Sequence, residues 1–87
     1  MVSKQITITN PMGLHMRPAG VFANAMMKFD SEVTLVAGGK TVNAKSIMSL
    51  MAAGIKCGAQ VEVQCSGPDE GAALLEAVRQ IESGLGE

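Results

Sequence analysis

The sequence predicts an α+β domain in which an antiparallel sheet is covered on one face by helices. Three observations carry this. Alternating and helical spacings take turns along the chain, in the order strand, helix, strand, strand, helix, strand, helix. Turn residues separate the segments, at Asn10-Pro11-Met12-Gly13, Gly38-Gly39 and Gly67-Pro68. The chain has 87 residues, which is room for one modest core and one domain spanning residues 1–87.

The elements follow in order. Val2, Ile6 and Ile8 share one parity and Ser3, Gln5, Thr7 and Thr9 the other, so the chain opens on a half-buried strand with Lys4 as the exception. From Met16 to about Phe29 the spacing becomes helical, with Ala19, Phe22, Met26 and Phe29 on one face. Pro18 suits that helix's first turn, where an amide has no intrahelical acceptor. Glu32 to Ala37 is a strand, Gly38-Gly39 a two-residue turn, and Lys40 to Asn43 the returning strand. Ser46 reads as the N-cap of a short helix, Ile47 to Ala53, stopped by Gly54. Gln60 to Ser66 alternates, with Val61, Val63 and Cys65 facing in. Asp69 caps a last helix with a Leu74, Ala77, Val78 and Ile81 stripe, and Gly84 ends it.

Composition excludes several function classes. Aromatics make up 2% and neither Trp nor Tyr occurs, so there is little to stack on nucleic-acid bases. The net charge of −1 argues the same way against direct nucleic-acid binding. No apolar run is long enough to cross a membrane, and no secretory signal pattern is visible at the N-terminus. Cys57 and Cys65 are the only cysteines, and the expectation is a cytoplasmic chain with both thiols free. No His, Cys and carboxylate cluster has metal-ligand spacing, and no cofactor is called for. Gly39-Lys40-Thr41 mimics the end of a phosphate-binding P-loop, but Thr34 stands where its first glycine is needed. Charge is uneven: residues 1–59 carry a net +4 and residues 60–87 a net −5. An anionic group or acidic partner therefore suits the first part of the chain.

The single histidine lies between a loop and a helix start, in Gly13-Leu14-His15-Met16-Arg17-Pro18. The first amides of a helix lack intrahelical acceptors and sit at the positive end of its dipole, which makes an anion site. That end disfavours a cationic ring, and a neutral ring keeps one nitrogen lone pair free as a nucleophile. Arg17 adds a permanent cation with planar donors suited to phosphate oxygens. Gly13 permits a close backbone approach. On residue types alone, a plain cap or a solvated residue is the commoner reading of His15, and a plain N-cap that of Ser46.

These same residues carry a resemblance. Asn10-x-x-Gly13-Leu14-His15-x-Arg17-Pro18-Ala19 resembles the active-site signature of the HPr family, the histidine-containing phosphocarriers of the bacterial phosphoenolpyruvate:sugar phosphotransferase system. Lys45-Ser46-Ile47-Met48-Ser49-Leu50-Met51 resembles that family's regulatory serine segment, and order, spacing and length agree over essentially the whole chain. The resemblance implies an open-faced sandwich of four antiparallel strands and three helices, βαββαβα. It implies that His15 takes a phosphoryl group on Nδ1 from enzyme I, itself charged by phosphoenolpyruvate, and passes it to the IIA domains of sugar permeases. Arg17 would neutralise phosphoryl charge, and the amides of Met16 and Arg17 would hold its oxygens. Ser46 would be the target of an HPr kinase/phosphorylase, and the serine-phosphorylated form would bind a catabolite control repressor.

The expected docking face comprises Met16, Gly20, Val21, Asn24, Ile47, Met48 and Met51. Met48 and Met51, three apart on the short helix, suit either core packing or an adaptable exposed contact. The chain departs from the family pattern at Met16, where a small residue or Thr is usual, and at Ser49, where Gly is common; both bear on partner preference. The expectation is a monomeric, stoichiometric carrier rather than an enzyme. Two alternatives stand beside it: a purely regulatory HPr-like protein working through Ser46, and a small acylphosphatase-type phosphatase.

Overall fold

In the computed structural model, which describes residues 1–85, the elements are β1 (Val2–Thr7), α1 (Met16–Met26), β2 (Glu32–Ala37), β3 (Lys40–Asn43), α2 (Ile47–Ala52), β4 (Gln60–Ser66) and α3 (Glu70–Glu82). The four strands form one antiparallel sheet in the order β1-β4-β2-β3. This is the predicted open-faced sandwich, with three helices. The register aligns Lys4, Val63, Leu35 and Val42 in a row across all four strands, and Ile6, Val61, Ala37 and Lys40 in the next. Val33, Leu35, Val42, Val61, Val63 and Cys65 are buried. The opposite parity, with Ser3, Gln5, Thr41 and Gln60 exposed, makes the other face.

Helix α1 buries Ala19, Phe22, Ala23 and Met26 completely, positions three and four apart along one stripe. Full burial of a side chain the size of Phe22 or Met26 contributes about 1.5–3 kcal/mol. Gly38 and Gly39 both have positive φ, +56° and +80°, the requirement of a two-residue turn whose twist matches its strands.

Two boundaries differ from the spacing. Strand β1 stops at Thr7, because Ile8 leaves the β4 ladder and exchanges backbone bonds with Ala59 and Gly58 (2.9 and 2.8 Å). Helix α1 stops at Met26, because the Phe29 amide folds back onto the Met26 carbonyl in a turn (3.2 Å). Phe29 continues the apolar spacing but is only half-buried.

Asp69 corrects a third expectation. It occupies the N-cap position of α3 but its side chain makes no capping bond. Its carboxylate reaches across to the α1–β2 turn, accepting the Asp30 and Ser31 amides (3.0 and 2.9 Å) and the Ser31 hydroxyl. Glu70 does the local work, accepting the Gly67 amide at 3.1 Å. The Ser31 hydroxyl, then the turn amides, hold the Asp69 carboxyl below its ordinary range. A carboxylate so depressed stabilises the fold above its unfolded pKa, about 3.9, and that contribution vanishes as pH falls through the folded value. Asp69→Asn should therefore melt at a lower temperature than the parent at neutral pH, with the gap closing below about pH 4. Thermal melts followed by circular dichroism across that range test this; a gap independent of pH would mean the clasp does not depend on charge.

Candidate functional site

The backbone around His15 is fixed by a run of hydrogen bonds between the β1–α1 loop and the α2–β4 loop. Ile8 pairs with Ala59 and Gly58, and the Leu14 amide donates to the Ile55 carbonyl at 2.9 Å. The Gly13 amide closes a turn onto the Asn10 carbonyl at 2.9 Å. Gly13 has φ +69°, and a Cβ there would meet the Ile55 carbonyl oxygen at 2.3 Å. The close approach expected at this glycine is thus made to the α2–β4 loop. Asn10, buried to 2% exposure, donates from Nδ2 to the Gly84 carbonyl at 2.8 Å and ties the loop to the end of α3. Nothing local in the sequence marks that role for Asn10, because its partner lies 74 residues away.

His15 takes the N-cap position of α1 with an extended backbone (φ −80°, ψ −170°), and its side chain makes no capping bond to the first turn. Its carbonyl accepts the Ala19 amide at 3.0 Å. Pro18 has no amide to offer. The first-turn donors without an intrahelical acceptor are therefore those of Met16 and Arg17, the two residues that follow His15. His15 is half-buried; Met16 and Arg17 are exposed. Arg17 makes no hydrogen bond or ion pair among the described residues, so its guanidinium is available to an incoming anion. Chemically this brings a nucleophilic ring, two donor amides and a cation together within three consecutive residues at one helix start, residue types able to accept and hold a phosphoryl group.

Helix α2 starts at Ser46, whose hydroxyl accepts the Ser49 amide at 3.2 Å, the capping bond expected of it. Met48 is 78% exposed and Met51 39%, so the core-packing reading of these methionines does not apply; Leu50 is the buried residue of this helix. Ile47 and Asn24 are exposed, and Gly20 and Val21 half-buried. Lys45, just before α2, donates from Nζ to the Phe29 carbonyl beyond the end of α1 (2.6 Å), whereas Ile55, just after α2, bonds Leu14 before the start of α1. The two helices thus run in opposite directions. His15 and Ser46 lie at opposite ends of the pair, and the exposed residues Met16, Asn24, Met48 and Met51 are distributed between them.

Cys57 is exposed, Cys65 is buried, and both are free thiols. Burial, then the nearby Glu70 and Asp69 carboxylates, raises the Cys65 pKa. Among the described residues no three His, Cys, Asp or Glu side chains gather into a metal site, and no helix is long and apolar enough to cross a membrane.

Residues 2–83 match the family model described as PTS HPr component phosphorylation site. The phosphocarrier protein HPr of Treponema pallidum (strain Nichols) is 46% identical over 74 residues, covering 85% of this chain and 84% of that protein. The crystal structure of HPr-C-His from Thermoanaerobacter tengcongensis superposes with a TM-score of 0.95 at 41% identity, covering 100% of this chain and 98% of the other. An HPr dimer from the same organism superposes with a TM-score of 0.79, also at 41% identity and over 100% of both chains. That relative is thus found as a dimer, where the sequence reading here expected a monomer.

Proposed function

Because this chain belongs to the HPr family, the phosphocarriers of the phosphotransferase system, we propose that His15 accepts a phosphoryl group from enzyme I and relays it to the IIA domains of sugar permeases. The observation that supports this most is the position of the one histidine in the chain, as N-cap of α1 directly ahead of Met16 and Arg17, whose amides are free of intrahelical acceptors. The ring keeps its proton on Nε2 and attacks with the Nδ1 lone pair. The bond from phosphorus to the donor breaks as the N–P bond forms, so the group moves without net hydrolysis. The loose transition state of such transfers asks chiefly for positioning and charge neutralisation. The two amides and Arg17 supply both, and the docked partner supplies the rest. Membership of this family removes the acylphosphatase reading.

Incubation with phosphoenolpyruvate and enzyme I should load one phosphoryl group per chain, read by mass. A chain that stays unloaded would leave only the regulatory role through Ser46.

Ser46 acts on this relay through the docking face, from the far end of the α1–α2 pair, as the target of HPr kinase/phosphorylase. Its phosphorylated form binds the catabolite control repressor. Phosphoserine adds about −1.5 to −2 charge, and at a helix N-cap the fold tolerates it. Ser46→Asp keeps a good cap and should slow loading of His15 by roughly 3–10-fold at low ionic strength. The deficit should shrink as salt screens it. An unchanged rate at low salt would reduce Ser46 to a helix cap.

A further inference from the structure

We propose that the cleft between the β2–β3 turn and the α2–β4 loop, rimmed by Lys40 and Lys56, receives an acidic segment of the phosphoryl donor and steers that donor to His15. This inference rests on the carrier function proposed above. Lys40 starts β3 and stands in register with Ala37, Val61 and Ile6, which places it on the helix-covered face of the sheet. It is nevertheless exposed, because a cleft of about 460 Å³ opens there between Ala37, Ala53, Ile55 and Ala59. Lys56 forms the other rim, and no carboxylate lines the space.

Two observations connect this cleft to the candidate site. The Lys56 Cα is one of the atoms a Gly13 side chain would strike, so the rim is built on the loop that backs His15. Ala53 and Gly54 continue directly from α2, so the cleft adjoins the C-terminal end of the helix bearing Met48 and Met51.

The other cations of the first part of the chain are differently placed. Lys45 is engaged by the Phe29 carbonyl at 2.6 Å. Lys28 lies close enough to Glu76 to help lower its pKa. Lys4 sits on the opposite edge strand, beside Leu74, Leu75 and Val78 of α3. Apart from Arg17, Lys40 and Lys56 are left as the pair at the His15 end, with no bond to any described group.

The occupant of the cleft follows from the charge balance of the cycle. Before loading, the His15 end presents Arg17, Lys40 and Lys56 and attracts an anionic partner that arrives carrying a phosphoryl group. After loading, the phosphoryl charge on His15 offsets these cations, so the attraction is strongest for the donor and weakens once the donor has discharged.

The test compares Lys40→Glu/Lys56→Glu with the parent and with Lys4→Glu, measuring the rate at which enzyme I and phosphoenolpyruvate load His15 at low and high salt. Circular dichroism melts check that each variant is folded. The paired variant should load about tenfold more slowly at low salt, with the gap closing at high salt, while Lys4→Glu stays near the parent rate. Because two charges are reversed against one, Lys40→Glu and Lys56→Glu are also run singly, and each should exceed the Lys4→Glu effect. Rates for both single variants equal to that of Lys4→Glu would overturn the inference while leaving the carrier function intact. A defect seen only in discharge to a IIA domain would overturn the donor assignment. A parent chain that does not load at all would overturn the carrier function, and this inference with it.

Discussion

His15→Ala should abolish uptake of phosphoryl groups from enzyme I and phosphoenolpyruvate while leaving a folded protein. The chain contains no second histidine to take over the attack. The amides of Met16 and Arg17 and the Arg17 guanidinium remain in the variant, but they bind charge and cannot form the N–P bond. His15 is half-buried and lies outside the apolar core, so the stability change should be about 1 kcal/mol or less. The adduct on the parent chain should be lost in acid and kept in alkali, as expected of a phosphoramidate. Retention of label by His15→Ala, or an adduct stable to acid, would place the phosphoryl group on another side chain. A large loss of melting temperature would instead mark His15 as structural and leave the chemistry to be tested in His15→Gln.

The sequence and the structure agree where information is local. Alternation placed β1, β2 and β4, the Gly38-Gly39 turn placed β3, and the three-and-four spacing of Ala19, Phe22 and Met26 placed α1 with its buried face. The placement of His15 and Arg17 at a helix start is legible because it needs only the helix boundary and the adjacent Pro18. What the sequence hides is set by contacts far apart in the chain. Asp69 has the residue type and position of a cap, yet its carboxylate is taken by Ser31, 38 residues away. Asn10 looks like an ordinary turn residue until its bond to Gly84 is seen. Lys40 belongs to the His15 end only through the sheet register that aligns it with Ala37, Val61 and Ile6. The separation of His15 from Ser46 depends on α1 and α2 running in opposite directions, which neither helix's own residues encode.

Gly13→Ala should be the most damaging single-methyl change in the loop that carries His15. Two costs combine. The backbone at φ +69° is left-handed, which costs a residue with a Cβ about 1–2 kcal/mol. The added carbon would also stand 2.3 Å from the Ile55 carbonyl oxygen and 2.7 Å from the Lys56 Cα. Both are backbone atoms, so no side chain can rotate aside, and the α2–β4 loop must shift at a further cost of about 1–3 kcal/mol. For a domain of this size each kcal/mol lowers Tm by about 4–8 °C, so the fall should reach about 10 °C or more. Gly54→Ala is the matched control: its φ is +66°, with nothing within 4 Å of the new carbon, so it bears the first cost alone. The difference between the two variants isolates the close approach. The shift should also loosen the Leu14–Ile55 bond that holds the residue before His15. Loading of His15 should accordingly slow in Gly13→Ala relative to the parent, even at temperatures where it remains folded. Equal melting temperatures for the two variants, with loading in Gly13→Ala at the parent rate, would show that the α2–β4 loop yields freely, and that the backbone behind His15 is not held by it.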